Sequence, residues 1–251
     1  MSSHAVAEAA AHHAEHHEPT SFLWKYVFSV DHKVIGKQYL AIGSFMAVAG
    51  GILAYLIRWQ LAWPETAVPG MGWVPEPTMF GGIVPPEFYT AIVTMHGTIM
   101  VFFAAMPILL GAFGNFALPL MVGAPDMAFP RLNMTSVWTL ALASTVLLSS
   151  FFVEGGPMAA GWTGYPPLSA NPVYTGVGLG GTLWILALAL EFASFLMGGV
   201  NFLVTTINMR PKGLTFMRLP LFVWMEVTAA VLFMLSVGPL VAGAFMLLLD
   251  R

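Results

Sequence analysis

The chain has 251 residues, of which 58% are hydrophobic and only 8% charged, with a mean hydropathy of +0.79. Soluble domains carry about 25% charged residues, so this composition excludes an ordinary soluble fold and points to an integral membrane protein. A net charge of −3 excludes an electrostatic nucleic-acid binder, and the lack of cysteine excludes disulfides, thiolate metal sites and cysteine nucleophiles.

Residues 1–20 are polar and histidine-rich (His4, His12, His13, His16 and His17), with no apolar core of the kind a signal peptide needs. They read as a disordered, solvated tail, with metal binding by the histidines as the alternative. The stretch "SFLWKYVFSVDHKVIG" then reads as an interfacial approach, with Trp24 and Tyr26 at headgroup level beside Lys25, Lys33 and Lys37.

Residues 21–251 form the membrane unit. Five long apolar segments follow one another, near 38–60, 88–121, 136–153, 182–207 and 221–249. A hydrocarbon core of ~30 Å takes about 20 apolar residues of helix, so each can span it. The ten-residue alternation of barrel strands is absent, leaving helices as the way to satisfy the backbone in lipid. Pro107 predicts a kink in the second span, with neighbouring helices covering the freed carbonyl. The fold class is therefore all-α, membrane-spanning, with five transmembrane helices. No internal repeat argues for an inverted-repeat transporter.

Basic residues set the expected orientation. With the N-terminus cytoplasmic, Lys25, Lys33, Lys37, Arg131, Arg210, Lys212 and Arg218 fall inside, and only Arg58 and Arg251 fall elsewhere. The two outer connections lack Lys and Arg and are rich in Pro, Gly and Trp, which suits compact caps on the outer face.

Against this background His96, in "FYTAIVTMHGTIMVFFAAMPILLGAF", needs a reason. It lies about eight residues, or ~12 Å, into its helix. At that depth an imidazole needs a polar group on another helix, a water cavity or a metal. Gly97 beside it permits the close approach of a flat ring or another backbone. Read alone, the residue leaves a helix–helix hydrogen bond and a haem or metal ligand both open.

The segment "TMHGTIMVFFAAMPILLGAFGNFALPLMVGAPDMAFPRLN" resembles the second helix and following inner loop of haem–copper oxidase subunit I. "VDHKVIGKQYL" and "LIRWQL" resemble that family's first helix, "GWTGYPPLS" its outer loop after the third, and "GGVNFLVTTINMRP" and "PLFVW" its fourth and fifth. The likeness runs in order from Ser21 to Arg251 and is to the proton-pumping branch that includes cytochrome c oxidases. It implies the first part of a fold of about twelve helices, belonging to the catalytic subunit of a terminal respiratory oxidase that reduces O₂ to water.

The resemblance also implies roles. His96 corresponds to one axial ligand of the low-spin haem, expected to be haem a. Arg58 corresponds to the arginine at that haem's formyl group, and Trp162 and Tyr165 to the loop over its propionates. Asp126 matches the entrance carboxylate of the D-type proton path. Asn115 and Asn133 match the asparagines just inside it, and Tyr39, Ser136, Ser194 and Asn201 the hydroxyls and amides along it. Without the resemblance, Arg58 reads as a snorkelling side chain, Trp162 and Tyr165 as an aromatic belt, and Asp126 as an Asx turn or helix cap.

Two departures stand out on the path, Met134 where the family often has a second Asn and Phe195 where it often has a second Ser. The intramembrane acids Glu191 and Glu226 have no counterpart role and read as protonated or hydrogen-bonded packing groups. The stretches carrying the high-spin haem ligand, the copper ligands, the second low-spin haem ligand and the K proton path have no match here. The expectation is thus a fragment or one part of a split subunit, inactive alone. It would work with the remaining segment of subunit I, subunits II and III, membrane lipid, and cytochrome c as electron donor, in a bacterial plasma membrane. A quinol oxidase of the same family, or a non-redox membrane binding or transport protein, is the alternative.

Overall fold

The computed structural model describes residues 21–76 and 78–251; the histidine-rich tail, with its expected disorder and metal binding, lies outside the described residues. Five helices are long and apolar enough to cross a membrane: α1 (His32–Ala62), α2 (Pro86–Val122), α3 (Pro130–Phe152), α4 (Leu179–Asn208) and α5 (Leu221–Leu249). No strand occurs among the described residues; a single pair, Phe80 and Ile83, forms an isolated bridge.

The first three spans start earlier than their apolar runs, each at a residue suited to a helix start, whereas α5 begins with its apolar run at Leu221. Asp31, in extended conformation, accepts hydrogen bonds from the Lys33 and Val34 amides at 2.7 and 3.1 Å and so starts α1 six residues before the apolar stretch. Proline occupies the first turn of both α2 and α3, where its missing N–H costs nothing. Ahead of α1, Leu23–Val27 makes one wide turn. Gln38 donates to the carbonyls of Tyr26 and Val27, and the Trp138 indole donates to Val27, pinning this exposed aromatic segment against α1 and α3.

α2 runs through Pro107 without stopping. The backbone bonding that proline interrupts is redistributed over two π-helical stretches, Ile99–Ala105 and Pro107–Ala112, which flank Met106. Gly123 closes the helix in the left-handed region (φ 73°), its N–H reaching back to Pro119 and Leu120.

In the bundle α1 packs against α2 and α3, α4 lies between α3 and α5, and the end of α2 closes against α4 and α5. α4 is the most buried span and α5 the least. Along α1, Gly36, Gly43 and Gly50 form a seam facing α2: a Cβ on them would meet the Ala112 carbonyl at 3.0 Å, Ile108 at 2.7 Å and the Met100 sulfur at 2.7 Å. The two connections at the end away from Asp31 fold down as caps, burying Val68, Met79, Val84, Met158 and Ser169.

Candidate functional site

Two polar constellations lie in this apolar frame. The first is built round His96, in the last α-helical turn before the π stretch of α2. Its Nδ1 lies 3.0 Å from the Gly50 carbonyl oxygen of α1. A carbonyl can only accept, so Nδ1 carries a proton, which leaves Nε2 as the nitrogen turned away from this bond. Gly50 makes this contact possible, since it holds the two backbones close. The next residue, Gly97, is covered by Trp162: a Cβ at position 97 would lie 3.0 Å from the indole. Thr94 accepts from the Gly161 amide at 3.0 Å, and Thr98 accepts from the Trp184 indole at 2.9 Å. These bonds tie the cap and α4 to the turn that carries His96.

The structure therefore brings His96 and Trp162 together. Arg58 and Tyr165 are exposed, and neither side chain makes a hydrogen bond among the described residues. Arg58 stands eight residues, about 12 Å of helix, beyond Gly50 toward the capped end. The arrangement fits a haem: the helix offers an imidazole whose Nδ1 is held by a carbonyl and whose Nε2 is left for another partner, and a glycine adjoins it. Among the described residues no group of three or more His, Asp or Glu side chains gathers as a metal site.

The second constellation starts at the opposite end. Asp126 lies in the loop 123–129, where its Oδ1 accepts from the Met127 amide at 2.6 Å. Partial burial pushes its carboxyl above the usual carboxylate range. The Met127 amide, the nearby His32 ring and the His32 backbone N–H oppose this, while Asp31 adds to it. Asn201 holds the loop in place with two bonds, from the Phe129 amide to its Oδ1 (2.9 Å) and from its Nδ2 to the Phe129 carbonyl (3.1 Å). Thr205 receives the Ala128 amide at 2.9 Å. Asn201 thus serves the loop that presents Asp126.

Further in, His32 donates from Nδ1 to the Asn115 carbonyl at 2.8 Å, and the Asn115 amide donates to Gly111 at 2.7 Å. Asn115 Oδ1 and both amide atoms of Asn133 are buried without a partner among the described residues. Tyr39 then donates to Ser136 Oγ at 2.7 Å and lies 3.5 Å from Ser194 Oγ. Ser136 donates to the Asn133 carbonyl (2.6 Å) and Ser194 to the Ser136 carbonyl (2.7 Å). Asn133, Tyr39, Ser136 and Ser194 thus form one buried polar cluster where α1, α3 and α4 meet.

Met134 and Phe195 leave that cluster to one side. Met134 is partly buried in the main core, and Phe195 packs on Phe233 of α5 at 5.8 Å between ring centroids. Three contributors escape a reading of the sequence. The Gly50 carbonyl offers no side-chain signal, His32 looks like part of an interfacial approach, and Thr205 is an ordinary helix threonine until the loop is seen against it.

A five-span helical bundle with a histidine hydrogen-bonded between two helices near one end and a buried polar line toward the other is an integral membrane protein. Residues 34–251 match the family described as Cytochrome C and Quinol oxidase polypeptide I. The chain is 42% identical over 237 residues to the alternative cytochrome c oxidase subunit 1 of Bradyrhizobium diazoefficiens, covering 94% of this chain and 38% of the relative. It is 39% identical over 234 residues to cytochrome c oxidase subunit 1 of Thermostichus vulcanus (92% and 39%), and 40% over 231 residues to that of Bacillus subtilis (92% and 34%). The chain belongs to this haem–copper oxidase subunit I family, and spans less than two fifths of the length of these relatives.

Proposed function

We propose that this chain is part of the catalytic subunit of a terminal oxidase that reduces O₂ to water and couples the reaction to proton translocation. The observation that carries the reading is the His96 pair. With Nδ1–H held by Gly50, Nε2 is free to bind iron in a fixed orientation. Haem a, bound there, supplies reversible one-electron transfer. Arg58 would place a fixed positive charge at its periphery, and the Trp162 indole and Tyr165 would face its propionates. The second ligand, the high-spin haem and the copper would be held by residues beyond this chain.

Asp126, Asn115, Asn133, Tyr39, Ser136 and Ser194 form the proton entrance in this reading. Buried polar atoms without protein partners are the sort that hold ordered water, and protons pass along such chains rather than through hydrocarbon. Cytochrome c is the proposed donor rather than quinol, in keeping with the names of the relatives. Subunits II and III and the remaining part of subunit I are the proposed partners, in a bacterial plasma membrane with the N-terminus cytoplasmic.

The test is a reduced-minus-oxidised optical spectrum of the native complex isolated through a tag on this chain, for wild type and His96→Ala. Loss of the low-spin band in the variant is expected. A wild-type complex without any haem band would instead favour a non-redox membrane protein.

A further inference from the structure

Arg251 follows the end of α5, at the capped end of the bundle. Its guanidinium donates from Nη1 to the Ser169 carbonyl (2.7 Å) and from Nη2 to the carbonyls of Val177 (2.7 Å) and Gly178 (2.6 Å). Nε reaches the Thr182 hydroxyl, in the first turn of α4, at 3.3 Å. The three carbonyls flank the short helix Pro172–Thr175, so one side chain gathers both ends of this part of the cap and fastens them to α4. Arginine suits the task. Its planar fork offers five donors in fixed directions, whereas a lysine ammonium offers three from one point. These four acceptors are neutral, so none of them cancels the charge.

The clasp continues inward. Ser169 is fully buried, and its hydroxyl donates to the Gly164 carbonyl at 2.6 Å. Gly164 sits so close to Trp184 that a Cβ there would lie 2.8 Å from the ring. The Trp184 indole donates to Thr98, whose own hydroxyl donates to the Thr94 carbonyl at 2.9 Å. Thr94 in turn accepts from the amide of Gly161, the residue before Trp162, which covers Gly97. Thr94 and Thr98 lie about one helical turn apart, with His96 between them. The turn that presents the imidazole is thus held by the cap and by α4, and Arg251 joins both to α5. We propose that Arg251 is a positioning residue for the His96 site: by clasping the cap to α4 it fixes where Trp162 and the Thr94–Thr98 turn stand. The surroundings of an axial ligand tune the colour and potential of its haem, so loosening the clasp is read there. This rests on the reading of His96 as a haem ligand.

The experiment uses the assembled complex, with Arg251→Lys, Arg251→Gln, Ser169→Ala and His96→Ala compared with wild type. Three quantities are read: amide hydrogen exchange over residues 161–178, the position of the low-spin band, and the midpoint potential of that haem. Both Arg251 variants are expected to keep the haem, to speed exchange in the cap about tenfold or more, and to move band and midpoint. Lysine keeps the charge but not the fork, so a shift in both variants marks the clasp. Ser169→Ala cuts the link to Gly164 with Arg251 in place, and is expected to move band and midpoint the same way by less. A loosened cap with band and midpoint at wild-type values would overturn the positioning role and leave the His96 reading standing. Exchange at the wild-type rate in both Arg251 variants would overturn the clasp itself. A shift in Arg251→Gln alone would do the same, since charge and not geometry would then be acting. If His96→Ala keeps the low-spin band, the His96 reading falls, and the positioning role with it. Should neither Arg251 variant assemble, Ser169→Ala decides: a band and midpoint unmoved there overturn the proposal.

Discussion

Asp126 shows how a single residue can be tuned against stability. Burial dominates its titration, so its folded pKa lies above its unfolded one. Folding therefore favours the protonated form. That contribution is fully present below the unfolded value of about 4 and is lost as pH rises through the folded value. Asp126→Asn keeps an acceptor for the Met127 amide but never ionises. Its thermal unfolding midpoint, followed by tryptophan fluorescence in detergent, is expected to exceed that of wild type at neutral and alkaline pH. The gain should shrink as pH falls into the acid range. A gain that grows on acidification would mean that the ionised carboxylate is the stabilised form. The expected loss of oxygen uptake in the same variant would make this a trade of stability for function. His96 is the contrasting case. Its depth in an apolar helix marks it in the sequence, but its tautomer depends on the Gly50 carbonyl, which no side-chain pattern reveals.

At the scale of elements, the α1–α2 crossing rests on glycine. Gly36, Gly43 and Gly50 recur every seven residues, keeping one small face turned to α2 along the span. The neighbours differ in how far they can yield. At Gly43 the obstacle is an Ile108 side chain, whereas at Gly36 it is the Ala112 backbone carbonyl with Phe116 behind it. Gly36→Leu is therefore expected to destabilise the chain by about 1–3 kcal/mol or more, and Gly43→Ala by less. Midpoints of thermal unfolding for the two variants check the order. If Gly36→Leu matches wild type, the seam is loose and the helices are held elsewhere. Five helices were legible in the sequence because length and hydropathy alone define them. Their starts were less so: Asp31 begins α1 through a side-chain cap inside a stretch that reads as interfacial, and Pro130 begins α3 well before the apolar run. The π stretches round Pro107 were not legible at all, since the sequence shows where a bond is lost but not how its neighbours share the loss.

For the molecule as a whole, the asymmetry of charge carries the strongest expectation. The fold places Lys25, Lys33, Lys37, Arg131, Arg210, Lys212 and Arg218 at the end where Asp126 lies, while the caps at the other end have no Lys or Arg of their own. The Asp126 end should therefore be cytoplasmic, so protons would be drawn from the cytoplasm, while His96 and its cap lie toward the outer face. The opposite orientation would place the entrance outside, and Asp126 could then not draw protons from the cytoplasm for outward translocation. Because these 251 residues contain no cysteine, a single thiol introduced among them is the one labelling site within this stretch. Trp73 is exposed in the first cap and Lys212 is exposed in the loop between α4 and α5. In intact cells a membrane-impermeant maleimide is expected to label Trp73→Cys. Lys212→Cys should be labelled only after the membrane is opened. Labelling of position 212 in intact cells, with position 73 protected until lysis, would reverse the topology and with it the direction assigned to the proton path.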